Sequence, residues 1–110
     1  MADFNVSISP REAMEIIDNE IVNGSITGVK IDEYVRQPDG RMIAVLVYEK
    51  HYYRVGNRLT LTVVVDNLRG VTHIHTAGGG GGQGFFGFDW GASGSFEDTV
   101  MDALYKYVIE

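Results

Sequence analysis

Polar and apolar residues alternate at the start of the chain, where Phe4, Val6 and Ile8 are interleaved with Asp3, Asn5 and Ser7. A period of two is that of a half-buried strand, and it predicts a first strand here. The period then lengthens. Ala13, Met14, Ile17 and Ile21 recur at helical spacing, Ile16 widens the stripe, and Glu12, Glu15, Asp18 and Glu20 form the wet side. Ser9-Pro10-Arg11-Glu12 has the signature of a helix start, with Ser9 as N-cap, Pro10 at the first helical position and Glu12 closing a capping box. Asn23-Gly24 supplies the stop.

From residue 25 the pattern changes to β-rich runs, predicting strands near 26–36, 42–54, 58–66 and 71–77. Pro38-Asp39-Gly40, Gly56-Asn57 and Asn67 to Gly70 mark the turns. Connections this short cannot hold crossover helices, so the four strands form an antiparallel meander. Leu59, Leu61, Val63 and Val65 alternate with Thr60, Thr62 and Asp66, which gives that strand one buried face; Val64 blurs the alternation. Phe86, Phe88 and Trp90 alternate after a glycine run and predict one more strand. Ser95-Phe96-Glu97-Asp98 begins a second helix by the same capping logic, with Val100, Met101, Leu104 and Val108 as its apolar stripe.

The resulting order, β-α-β-β-β-β-(β)-α, predicts a single α+β domain over residues 1–110. Its form is a two-layer sandwich whose antiparallel sheet of five to six strands carries both helices on one face. The order resembles the helix-grip, TATA-binding-protein-like topology, whose members include START-type lipid-binding domains and nucleic-acid-binding saddles. A topological resemblance transfers no function. Two segments resemble a known family more closely: Tyr48 to Arg58 (YEKHYYRVGNR), and the glycine run followed by Gly84 to Gly91 (GFFGFDWG). Both look like signatures of a family of small uncharacterised bacterial proteins known as a domain of unknown function. The resemblance covers most of the chain and brings no activity, catalytic residue or cofactor.

Composition narrows the function classes. The 110 residues are 45% hydrophobic and 22% charged, ordinary globular values, and a chain of this length buries roughly two-thirds of its unfolded surface in one core. The absence of cysteine excludes a disulfide framework, thiolate metal sites and thiol nucleophiles. No apolar run approaches the roughly 20 residues that span a bilayer, and the expected setting is the cytoplasm, with no membrane association. The net charge of −6 disfavours nucleic acid as a partner. That charge is unevenly spread: residues 1–25 hold five acids and one base, residues 70–110 again five and one, and residues 36–69 six bases against three acids.

Several residue sets carry candidate chemistry. His73 and His75, two apart on a predicted strand, point to one face about 7 Å apart, a spacing that can chelate a divalent ion. A third ligand has to come from His51, Glu49 or Asp66, and hairpin register decides whether any shares that face. A two-residue turn at Gly56-Asn57 puts Tyr48 and Tyr52 on the side of Leu61 and Val65. A three-residue loop instead buries Glu49 and His51 as a potential acid/base pair and leaves Tyr48, Lys50, Tyr52 and Arg54 as an aromatic, basic stripe on the open face.

Residues 78–94 hold nine of the fourteen glycines. Gly79-x-Gly81-x-x-Gly84 matches a dinucleotide fingerprint only formally, for no βαβ unit surrounds it. A flap or wide turn beside Phe85, Phe86, Phe88 and Trp90 is the better functional reading of this stretch, with a surface loop as the plain one. Gly91 to Ser95 is a near miss for a nucleophile elbow. The leading expectation is a non-catalytic domain without cofactor that self-associates, as a homodimer, or binds a small apolar ligand between sheet and helices, with Phe85, Phe86, Phe88 and Trp90 at the mouth. The alternative is a metal-dependent or acid/base enzyme built on His73, His75, His51 and Glu49.

Overall fold

The computed structural model describes residues 2–24, 27–52, 57–80 and 90–109. Five strands, β1 (Ala2–Val6), β2 (Val29–Arg36), β3 (Ile43–Tyr52), β4 (Asn57–Asp66) and β5 (Thr72–Gly80), form one antiparallel sheet in the order β1-β5-β4-β3-β2. Two helices, α1 (Pro10–Asp18) and α2 (Trp90–Leu104), pack on one face, which gives the expected α+β sandwich. The meander of β2 to β5 is closed by β1, which pairs with β5 across the length of the chain. No helix among the described residues is long and apolar enough to cross a membrane.

The capping box at α1 is formed in both directions: the Glu12 amide donates to Ser9 Oγ (3.1 Å) and the Ser9 amide to Glu12 Oε1 (3.0 Å). Those bonds satisfy donors that the first helical turn leaves orphaned. Ala13, Met14 and Ile17 are buried, as is Ile21 in the π-type turn Asn19–Asn23 that prolongs the helix. Gly28 lets the following backbone close on this turn, since a Cβ there would lie 2.2 Å from the Ile21 carbonyl oxygen. β2 begins at Val29, later than the alternation predicted. Just before it, the Thr27 hydroxyl takes the place of a ladder residue, donating to the His51 carbonyl (2.9 Å) and accepting from its amide (3.3 Å).

The C-terminal half departs further from the sequence reading. β5 runs on through Gly78 and Gly79 to Gly80, because these residues pair with Leu61, Thr60 and Leu59 of β4. Beyond the end of β1, the Gly78 amide donates to Glu97 Oε2 of α2 (2.9 Å). Residues 81–89 lie outside the described residues, and with them the strand predicted through Phe86 and Phe88. Trp90 opens α2 and ends no strand, so Ser95 sits within the helix and does not cap it. Gly91 and Gly94 are poor helix formers and moved the predicted start past them. Val100 and Leu104 of the expected stripe are buried and Met101 is half-buried, while Phe96, outside that stripe, is buried one turn earlier. Val108 leaves the helix altogether and pairs with Val6.

Candidate functional site on the open sheet face

The pairing of β3 with β4 decides which chemistry the sheet presents. Tyr48 lies opposite Leu61 and Leu46 opposite Val63, and four residues connect Tyr52 to Asn57, an even number with the same parity as a two-residue turn. Tyr48 is therefore on the helix-covered face, 0% exposed. Its hydroxyl donates to Asp18 Oδ1 (2.5 Å), Lys30 Nζ donates to Asp18 Oδ2 (2.9 Å), and Lys30 also reaches Glu33 (2.5 Å). Burial, with Asp18 as acceptor, raises the pKa of the tyrosine hydroxyl well above its usual value. Burial works against the charge on Lys30, but Glu33 and Asp18 outweigh it and raise its pKa.

Of the two hairpin parities open in the sequence, this register realises the one that puts Tyr48 on the side of Leu61, and what the other implied is not found. The aromatic, basic stripe does not lie on the open face, since Tyr48 is in the core and Lys50 lies 5.8 Å from the Phe96 ring centroid; Arg54 lies outside the described residues. Glu49 and His51 are not a desolvated acid/base pair either. They lie on the open face, where Glu49 pairs with Arg58 (3.4 Å) across the hairpin.

No described element covers that open face. Successive rows cross it at right angles to the strands: Asn5, His73, Asp66, Ile43 and Arg36; then Asp3, His75, Val64, Val45 and Tyr34; then Ala77, Thr62, Val47 and Asp32; then Gly79, Thr60, Glu49 and Val29. Val45, Val47 and Val64 make a half-buried apolar block at its centre, and Tyr34 (49% exposed) and Val29 (47%) extend it toward β2. The Arg36 guanidinium stacks on the Tyr34 ring, 4.1 Å from its centroid.

His73 and His75 share this face with Glu49 and His51, but the register separates them. Glu49 belongs to the row of Gly79, four residues along β5 from His75, or about 13 Å at strand rise. The partners of the two histidines come instead from β1. Asp3 Oδ1 lies 2.8 Å from His75 Nδ1 and 3.0 Å from His73 Nε2, and Asn5 Oδ1 lies 2.8 Å from His73 Nδ1. Hydrogen bonds from His75 and His73 hold the Asp3 carboxyl below its usual pKa. Among the described residues no group of three or more His, Asp or Glu is arranged to hold a metal ion, so the proposed set of His73, His75, His51 and Glu49 does not assemble. Asp3 was missed because its pairing with His75 joins residues 72 apart, which no local pattern signals.

A cavity of about 420 Å³ opens at the end of the face, lined by Asn5, Asp66, Leu68, Arg69, Val71 and His73. The helix-facing side is instead filled by Tyr48, Phe96, Ile17 and Leu46, all fully buried. The predicted ligand mouth at Phe85, Phe86 and Phe88 lies outside the described residues.

No curated protein and no solved structure matches the chain, so the likeness to helix-grip proteins rests on element order alone. A family model does match, over residues 1–108, a span that takes in both segments on which the sequence resemblance rests. The protein thus belongs to DUF6054, a family of unknown function.

Proposed function

We propose that this is an assembly domain, whose open sheet face packs on the same face of a second copy in the cytoplasm. The observation that carries the reading is the block of Val45, Val47 and Val64 at the centre of a face that no described element covers. Central strands of an antiparallel sheet with one wet side alternate cleanly, whereas apolar residues on both sides of β3 and β4 suit a sheet covered twice. The sheet edges are poor alternatives. β1 is closed by the C-terminal segment: the Ser7 amide donates to the Tyr107 carbonyl and the Ile109 amide to that of Asn5, both at 2.9 Å. β2 carries a register irregularity between Lys30 and Asp32 and the charges of Asp32, Glu33 and Arg36, devices that discourage edge pairing.

Area and charge both fit a second copy. Five strands about 4.8 Å apart and eight residues rising about 3.3 Å each give a face of roughly 600 Å², hence about 1,200 Å² buried in a pair, at the lower bound of stable interfaces. A two-fold axis along β4 lays the β1 edge of one copy over the β2 edge of the other. Asp3 then meets Tyr34 and the nearby Arg36 of the second copy, a carboxylate against a guanidinium. Sedimentation velocity from about 1 to 100 μM tests the reading, with Val64→Lys as the probe. Wild type is expected to reach a dimer and Val64→Lys to remain a monomer with an unchanged urea midpoint at low concentration. A wild-type monomer throughout, or a Val64→Lys dimer of undiminished affinity, overturns it.

A further inference from the structure

We propose that the cavity at the β4–β5 end of the open face is a binding site for a small zwitterion, an amino-carboxylate with a short apolar body. Its volume of about 420 Å³ falls in the range of small-molecule sites. Its floor comes from three strands, with Asn5 on β1, His73 on β5 and Asp66 on β4, and its wall from Leu68, Arg69 and Val71 in the connection from β4 to β5.

That connection is pinned more heavily than a solvent turn requires. The Met42 amide donates to Asn67 Oδ1 (2.7 Å), the Asn67 amide to the Met42 carbonyl (3.1 Å), the Leu68 amide to Asp66 Oδ1 (3.1 Å) and the Gly70 amide to the Asn67 carbonyl (2.9 Å). Arg41 also donates to the Leu68 carbonyl. A wall fixed in this way costs little further ordering when a ligand arrives.

The charges define the ligand class. The Arg69 guanidinium has no hydrogen bond or ion pair among the described residues, and Asp66 uses only Oδ1, on the Leu68 amide. A plain anion that reached Arg69 would also meet the Asp66 carboxylate, and a plain cation at Asp66 would meet Arg69. A molecule that carries both charges satisfies both residues, with Leu68 (42% exposed) and Val71 beside its apolar part. His73 cannot take up a ligand in place of its present bonds, because Asp3 and Asn5 already engage both ring nitrogens. It serves as a fixed part of the floor.

The test is an amide-shift NMR titration of the whole protein with three probes: L-leucine, isopentylamine, which lacks the carboxylate, and 4-methylpentanoate, which lacks the ammonium. Leucine is expected to give saturable shifts at Asn5, Leu68 to Val71 and His73, with binding at least tenfold tighter than either analogue. Arg69→Ala should bring leucine down to the level of isopentylamine, and Asp66→Asn, which keeps an oxygen for the Leu68 amide, down to that of 4-methylpentanoate. No saturable shift up to tens of millimolar leucine, equal binding of all three probes, or shifts elsewhere on the molecule overturns the proposal. Asn5, His73 and Asp66 belong to the face that a second copy would cover, so the titration is also run on Val64→Lys, which keeps failure here distinguishable from failure of self-association.

Discussion

Replacing Tyr48 by Phe removes one oxygen from the core and leaves the ring in place, so its cost reports the contact between the Tyr48 hydroxyl and Asp18 Oδ1. A hydrogen bond to a charged partner contributes about 1.5–3 kcal/mol. Asp18 keeps Lys30 at 2.9 Å, and its side chain is 33% exposed, so water can replace part of what is lost. The expected cost is therefore at the low end, about 1.5 kcal/mol. With a urea slope of about 1.5 kcal/mol/M for a domain of this size, the unfolding midpoint falls by about 1 M at unchanged slope. Circular dichroism over a urea series reads this directly. In a double-mutant cycle with Asp18→Ala, the coupling should be about 1 kcal/mol. A Tyr48→Phe protein within 0.3 kcal/mol of wild type, or a coupling near zero, would refute the contact and the register of β3 that places it.

Gly28→Ala pushes a methyl against the Ile21 carbonyl, where the free distance is 2.2 Å, and is expected to destabilise by about 1–3 kcal/mol, again read from the urea midpoint. Asp3 gives a pH prediction. Hydrogen bonds from His75 and His73 depress its pKa in the folded state, so its contribution is present above the unfolded carboxylate pKa of about 3.9 and is lost as pH falls through the lower folded value. Asp3→Asn should therefore flatten the fall in stability below about pH 4; an unchanged acid slope would show that the bonds do not form in solution.

The parts of this fold that local chemistry determines were legible in the sequence. Ser9 and Glu12 announce the start of α1, and the alternation from Leu59 to Val65 predicts the face that β4 buries. The start of α2 was displaced because Gly91 and Gly94 weaken helix propensity, while the packing of Phe96, Val100 and Leu104 against the sheet sustains a helix through them. Functional readings depended on non-local facts. The face of Glu49 and His51 turned on the parity of one hairpin, and the partner of His75 came from the far end of the chain. Val64 was the most informative residue, since its break in the alternation marks the apolar centre of the open face beside Val45.

Isotope-filtered NMR on a mixture of methyl-labelled and unlabelled protein asks whether this face meets the same face of a second copy. Pairing through this face gives intermolecular contacts among the methyl groups of Val45, Val47 and Val64. Contacts confined to the β2 edge at Val29 and Tyr34, or none at concentrations near a millimolar, would contradict it.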